Sequence, residues 1–247
     1  MNDERPVFPP LFRPFAVTPE LDPFERCLTV ARDGAEPGTL LWSIGTDAAE
    51  CAIVLAPEQS LEHSLPIVMV TALAIGDALD ALLPPVVAVT FGWPDRVEVN
   101  GAVVGGVRMA MAEVEAYDNV PDWMVVGFGI AVQGEWAEGA AADDLRRTTL
   151  ADEGANDVVT LDLLEGFARH FLSWINRWQD DGIGPVHQAW LARATGLGKT
   201  LEVEVGDRKV EGTFAGLTES GGLRLVRDGV TQTVPLDEAM TVPSWAV

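Results

Sequence analysis

"TFGWPDRVEVNGAVVGGVRMAM", residues 90–111, decides how the chain is read. Asn100-Gly101 between two β-rich runs is the strongest short signal of a two-residue hairpin, because both turn positions need positive φ. A Trp93-Pro94-Asp95 corner precedes it, and Gly105-Gly106 interrupt the second strand. Glycines inside a strand mark a bulge or a close approach of backbone or ligand. The stretch carries two bases, Arg96 and Arg108, and no lysine.

Working outward, "VVAVTFGW" (86–93) predicts a strand and "DWMVVGFGIAVQ" (122–133) another, with a Gly127-x-Gly129 kink. "GTLLWSI" (38–44) and "CAIVLAPE" (51–58) predict a hairpin joined by "GTDAAE". "PFERCLTVARDG" (23–34) suits a helix stopped by Gly34. Residues 60–85 are apolar nearly all round, which predicts one helix buried on several sides. The acidic, alanine-rich segment 134–157 is expected to be a surface loop. A helical stripe runs through 161–182, with His170 on its polar, solvated side, and residues 185–198 continue helical. Proline-rich residues 1–23 are expected to form an extended arm whose Phe8, Phe12 and Phe15 pack on the domain. From Lys199 onward polar and apolar residues alternate between tight turns at Gly206-Asp207, Gly221-Gly222 and Asp228-Gly229, predicting a small barrel of SH3 type. The expected division is an arm (1–23), an α/β domain (24–196) and a β module (197–247).

Composition narrows the partners. Of 247 residues 48% are hydrophobic, enough for a substantial core. A net charge of −22, from 38 acids against 16 bases, repels phosphate backbones and argues against nucleic acid. Lys199 and Lys209 are the only lysines, so everything before residue 199 is lysine-free. Cys27 and Cys51 lack CxxC spacing and read as buried free thiols, with no metal role and no evident Cys-His pairing with His63. The opening "MNDERPVFPP" has no basic-then-apolar pattern, so no secretion signal is expected. No apolar run of ~18–20 residues is free of charge or proline, which argues against a membrane span and for a cytoplasmic protein.

The order of elements, with its motifs, resembles the biotin/lipoate protein ligase family. "GWPDRVEVNGAVVGGVRM" is similar to that family's KWPND-x(n)-K-[LV]-[AS]-G-[IV]-L segment, and "VVGFGIAVQ" to its VIGIGIN strand. Gly212, Phe214, Gly216, Gly221 and Leu223 match the "G-x-F-x-G-I-D-x-x-G-x-L" pattern of its C-terminal module. The resemblance implies an α/β (α+β) fold: a mixed-sheet, class II synthetase-like catalytic domain, then an SH3-like barrel. It also implies ATP with biotin or lipoate as cofactor and substrate, a biotinyl or lipoyl carrier domain as partner, and a homodimer through a sheet edge. Family enzymes join a carboxylic acid to ATP and pass the acyl group to a carrier lysine.

That chemistry needs cations beside the α-phosphate. The family's GRGRxGRxW loop would lie where this chain has only "GTDAAE". Gly92 stands at the KWPND lysine, Val103 at the second lysine, and Ala131 at the asparagine of GIGIN. Arg96 and Arg108 are the candidate substitutes. Trp93, Pro94, Gly105, Gly106, Gly127 and Gly129 either line a pocket for an acyl ligand or are turn and packing residues of the sheet. Three readings compete. One is a ligase-like binding module, for a small carboxylic acid or a carrier protein, without normal adenylating activity. Another is an atypical active ligase or acyltransferase. The third is a structural or oligomer-forming protein whose pocket is filled by its own side chains. Side chains such as Trp42 or Met109 are expected to narrow the pocket.

Overall fold

The computed structural model describes residues 5–43, 45–134, 146–206, 208–241 and 243–245. Ile44, Asp207 and residues 135–145 of the expected 134–157 loop lie outside them.

Strand β1 (Arg13–Val17) leads into helix α1 (Pro23–Arg32). Asp22 caps α1, its Oδ1 accepting from the Phe24 N–H at 2.8 Å, and Pro23 occupies the first turn, where a missing N–H does no harm. Gly34, at φ +84°, ends the helix as expected. Strands β2 (Thr39–Ser43) and β3 (Ala48–Leu55) form the predicted antiparallel hairpin. The apolar stretch is two helices, α2 (Leu61–Ser64) and α3 (Ile67–Leu82). Pro66 breaks it, because proline offers no N–H to the preceding turn. This stretch, with hydropathy 1.8, is long enough to cross a membrane, yet 78% of its most apolar window is buried inside the protein.

Strands β4 (Val89–Gly92), β5 (Arg96–Val99), β6 (Ala102–Met111) and β7 (Met124–Ala131) follow. Asn100 (φ +51°) and Gly101 (φ +77°) make the β5–β6 turn. Helices α4 (Thr160–Asp181) and α5 (Gly184–Ala192) precede β8 (Thr200–Val205), β9 (Arg208–Leu217), β10 (Leu223–Arg227), β11 (Val230–Val234) and the short helix α6 (Leu236–Ala239).

Seven strands form one mixed sheet in the order β1-β2-β3-β7-β6-β5-β4, with β1 parallel to β2 and the other neighbours antiparallel. The expected separate arm therefore contributes an edge strand. Pro14 fits there because a strand edge requires no donor on its outer side. Phe12 is buried and Phe8 packs beside Trp42, whereas Phe15 is 57% exposed. The last four strands form a second, antiparallel sheet, β11-β10-β9-β8.

Alternation along each strand sends side chains to two different faces. One face packs on α3 and α4, and its core continues into the second sheet through Phe214, Leu223, Leu225 and Val234, and onto α6 through Leu236. The opposite face carries a smaller cluster under α1, formed by Phe24, Cys27, Leu28, Ala52, Val54 and Val125. Beyond α1 lies the candidate site.

Candidate functional site

Strand register places one row of residues across that second face. Glu50 pairs with Gly129, Gly129 with Gly106, Gly106 with Arg96, and Arg96 with Gly92. Two adjacent glycines in the middle of the row leave a trough without side chains, with Glu50 at one side and Arg96 at the other. Gly127 lies one row away, under Phe24 of α1, whose Cδ2 would be 2.9 Å from a Cβ at that position. Gly105 serves the backbone. At φ +154° it sits beside the irregularity between β5 and β6, and a Cβ there would run into the Gly129 carbonyl oxygen.

The trough is filled. The segment after α6 folds back over it, and Trp245 lies on the two glycines. A Cβ at Gly129 would be 2.9 Å from Trp245 Cη2, and one at Gly106 would meet Trp245 Cδ1 and the Asp95 carbonyl. Trp245 Nε1 donates to the Val107 carbonyl at 3.1 Å. The Ser244 N–H donates to Asp95 Oδ2 at 2.8 Å, and the Ser244 hydroxyl donates to Asp95 Oδ1. Trp245 is 8% exposed and belongs to neither apolar cluster of the described residues, so its burial is owed to this trough. The expectation of an internal occupant holds in kind, but its identity needs correcting. Trp42 is buried in the α3–α4 core, and Met109 packs against that same core. Both project from the other face of the sheet.

Both substitute cations stand beside carboxylates, while the Nε of each is buried with no hydrogen-bond partner among the described residues. Arg96 folds over Gly92, where a Cβ would lie 2.7 Å from its Nε, and Glu98 Oε1 is 3.7 Å from that nitrogen. Arg96 thus occupies the space a lysine at position 92 would need. Glu98 is itself buried and accepts from the Thr195 hydroxyl at 2.6 Å. Arg108 does project to the trough face, but Asp22 and Glu25 of the α1 start grip both its terminal nitrogens, the second at 2.7 Å. Its guanidinium also stacks 4.2 Å from the Phe24 ring centroid.

The remaining polar groups are acids. Burial pushes the Asp95 carboxyl up to about 6, against the opposing pull of the Ser244 hydrogen bonds and Arg96. Burial and the nearby Asp22 also raise Glu50, partly offset by Arg108. Beside Glu50 a recess of about 460 Å³ opens at the β2–β3 turn, lined by Pro19, Ser43, Gly45, Thr46, Asp47, Ala48 and Glu50, none of them basic. Asp47 ties this turn to β7, its carbonyl accepting from the Val132 N–H at 2.7 Å.

Other singled-out residues lie elsewhere. Trp93 is buried, and its Nε1 donates to the Gly221 carbonyl at 3.0 Å, joining the β4–β5 turn to the second sheet. Pro94 is buried in the same turn. Val103 is 2% exposed, its backbone bonded to Arg146 and Thr148, which leaves no room for a lysine. Burial pushes the Cys27 thiol up to about 12 and raises that of Cys51 as well, so neither is an activated nucleophile. Exposed His63 pairs its Nδ1 with the hydroxyl of half-buried Ser60 at 2.8 Å, beside a separate apolar recess of about 310 Å³. Among the described residues no cluster of His, Cys, Asp or Glu has the arrangement to hold a metal.

The glycine row on a seven-stranded mixed sheet, with a second β sheet behind it, is joined by a direct match. A profile of the biotin/lipoate A/B protein ligase family covers residues 8–192. The chain belongs to that family. Its fold is the mixed α/β fold of biotin protein ligases. Among similar sequences is the biotin–[acetyl-CoA-carboxylase] ligase of Paracoccus denitrificans, 29% identical over 189 residues, 75% of this chain and 77% of that protein. Among solved structures, a biotin protein ligase-like protein of unknown function from Silicibacter sp. TM1040 is 35% identical and superposes with a TM-score of 0.85, covering 96% of this chain and all of that one. The Aquifex aeolicus biotin protein ligase in complex with biotin and ATP shares the fold at 19% identity, with a TM-score of 0.69 over 90% of this chain and 95% of that one. Sequence reading missed the segment 243–245 altogether: one tryptophan after a proline has no periodicity to say where it returns.

Proposed function

We propose that this family member does not form acyl-adenylates and acts instead as a cytoplasmic protein-binding module. Its α/β body would dock a biotinyl or lipoyl carrier domain, and residues 197–247 would form an SH3-like module beside it. The observation that carries this reading is the trough itself, where an indole occupies the glycine floor and the two guanidiniums of that face, Arg96 and Arg108, each stand beside carboxylates. Bringing a carboxylate to a triphosphate requires preorganised positive charge, and one such donor is worth about 2.7–4 kcal/mol of transition-state stabilisation. Arg108 is held by Asp22 and Glu25, and Arg96 lies 3.7 Å from Glu98. Moving Arg108 to a phosphate would strip Asp22 and Glu25 of their partner. A second reading, an atypical active ligase or acyltransferase, is favoured by the relationship to the Paracoccus enzyme.

ATP–pyrophosphate exchange with biotin, lipoate or octanoate separates the two. The binding module gives no exchange above the protein-free blank. Exchange dependent on any of the acids would overturn it.

A further inference from the structure

The hydrogen-bonding polarity of the trough is opposite to that of an anion site. Around the glycine floor, the groups that meet the occupant are acceptors: the Val107 carbonyl and both carboxylate oxygens of Asp95. The occupant supplies three donors in a fixed order, the Ser244 N–H, the Ser244 hydroxyl and the Trp245 indole N–H. Shape agrees with polarity. The indole lies over Gly106 and Gly129 at distances that admit no Cβ beneath it. A carboxylic acid or a phosphate placed here would set acceptors against acceptors and negative charge against Asp95 and Glu50.

We propose that the trough is a recognition site for a Ser-Trp peptide segment, held closed in cis by the chain's own Pro243–Trp245. This deepens the reading of the protein as a non-adenylating binding module and rests on it. Asp95 reads the serine through two hydrogen bonds, as a carboxylate can that accepts on both oxygens. The Val107 carbonyl reads the indole N–H, and the glycine pair selects a flat ring over a branched side chain. A covalently attached segment competes at millimolar effective concentration. A second Ser-Trp segment in trans therefore enters only when the cis copy is weakened or displaced.

Polarity selects this occupant over the other features of the molecule. The recess at Pro19–Glu50 is lined by carboxylates and hydroxyls, and the one at His63 and Trp178 is mostly apolar. In the trough, donors and acceptors are matched group for group.

A labelled peptide of residues 241–247 titrated by fluorescence anisotropy tests the proposal on full-length protein. Trp245→Ala removes the indole from the cis segment and leaves only the Ser244 hydrogen bonds to hold it, so this variant should bind the peptide at least tenfold more tightly than wild type. A peptide with alanine in place of tryptophan should lose at least tenfold. Adding Gly129→Val to the variant should abolish binding, because the new side chain stands where the indole lies. Should Trp245→Ala fail to fold, Trp245→Phe keeps a flat ring over the glycines, lacks the indole donor, and should bind the peptide more tightly than wild type by a smaller factor. Equal binding by wild type and variant, or equal binding of the two peptides, would overturn the recognition site. Either failure leaves the non-adenylating reading to be judged by pyrophosphate exchange, which involves no peptide.

Discussion

Gly129 and Trp245, 116 positions apart, fit so closely that a Cβ on the glycine would lie 2.9 Å from Cη2 of the indole. Little else stands in the way: the next neighbour outside the ring is Glu50 Cγ at 3.8 Å. Gly129→Val therefore acts on the indole and leaves the strand, where β-branched residues are at home. The variant should lose about 1–3 kcal/mol in urea unfolding, as overpacked sites do. Its tryptophan emission should shift to the red as Trp245 reaches water. Unchanged emission and stability would mean that the indole does not lie on Gly129.

Gly105 is a different kind of glycine. Its Cβ would meet backbone, the Gly129 carbonyl, with no flexible side chain to give way. Gly101, at φ +77°, has open space around it. Gly101→Ala should lose about 1–2 kcal/mol from left-handed strain alone, whereas Gly105→Ala should lose clearly more by adding the clash. Equal losses in denaturant melts would contradict the close pairing of β6 with β7.

Arg108 has a structural job in this account. Its guanidinium neutralises Asp22 and Glu25 and stacks on Phe24, at 20% side-chain exposure. Arg108→Ala should reduce stability by about 1–2 kcal/mol, more than an exposed ion pair would give because lost stem packing adds to it. High salt should narrow the gap between variant and wild type. A variant as stable as wild type would show that Arg108 is not engaged with α1.

Burial of Asp95 predicts a pH dependence. Its carboxyl rises from 3.8 to about 6 on folding, so the folded protein holds a proton that the unfolded chain releases between those values. The stabilisation from this proton is complete below about pH 4 and is lost as pH rises through about 6. Glu50 shifts in the same direction, so the comparison must be with Asp95→Asn. Between pH 4 and 6 the wild type should lose about 2–3 kcal/mol relative to the asparagine variant, at 1.36 kcal/mol per pKa unit. Parallel stability curves would show that Asp95 is solvated and that Ser244 does not cover it.

Much of this was legible from residues 90–111. The Asn100-Gly101 turn follows from local backbone preference, a short-range property, whereas the row formed by Gly106 and Gly129 is set by strand register. Alternation read from the sequence leaves Arg108 free to point away from the site, and its pairing with Gly127 is what puts it on the face of Gly106. Local signals misled where tertiary pairing prevailed: Pro14 hid an edge strand, and Pro66 divided a stretch that hydropathy joins. What fills the trough was beyond reach, because Asp95 and Ser244 meet across 149 positions with no pattern linking them. The pairing of Arg96 with Glu98 was readable in principle, as a two-residue spacing on one strand face.

On the proposed reading the trough lacks usable positive charge, and opening it does not create a nucleotide site. Calorimetric titration of ATP with magnesium into the Trp245→Ala protein, with and without biotin, reads this out. No saturable heat is expected up to millimolar nucleotide. Saturable binding at micromolar concentration, lost on Arg96→Ala or Arg108→Ala, would contradict it.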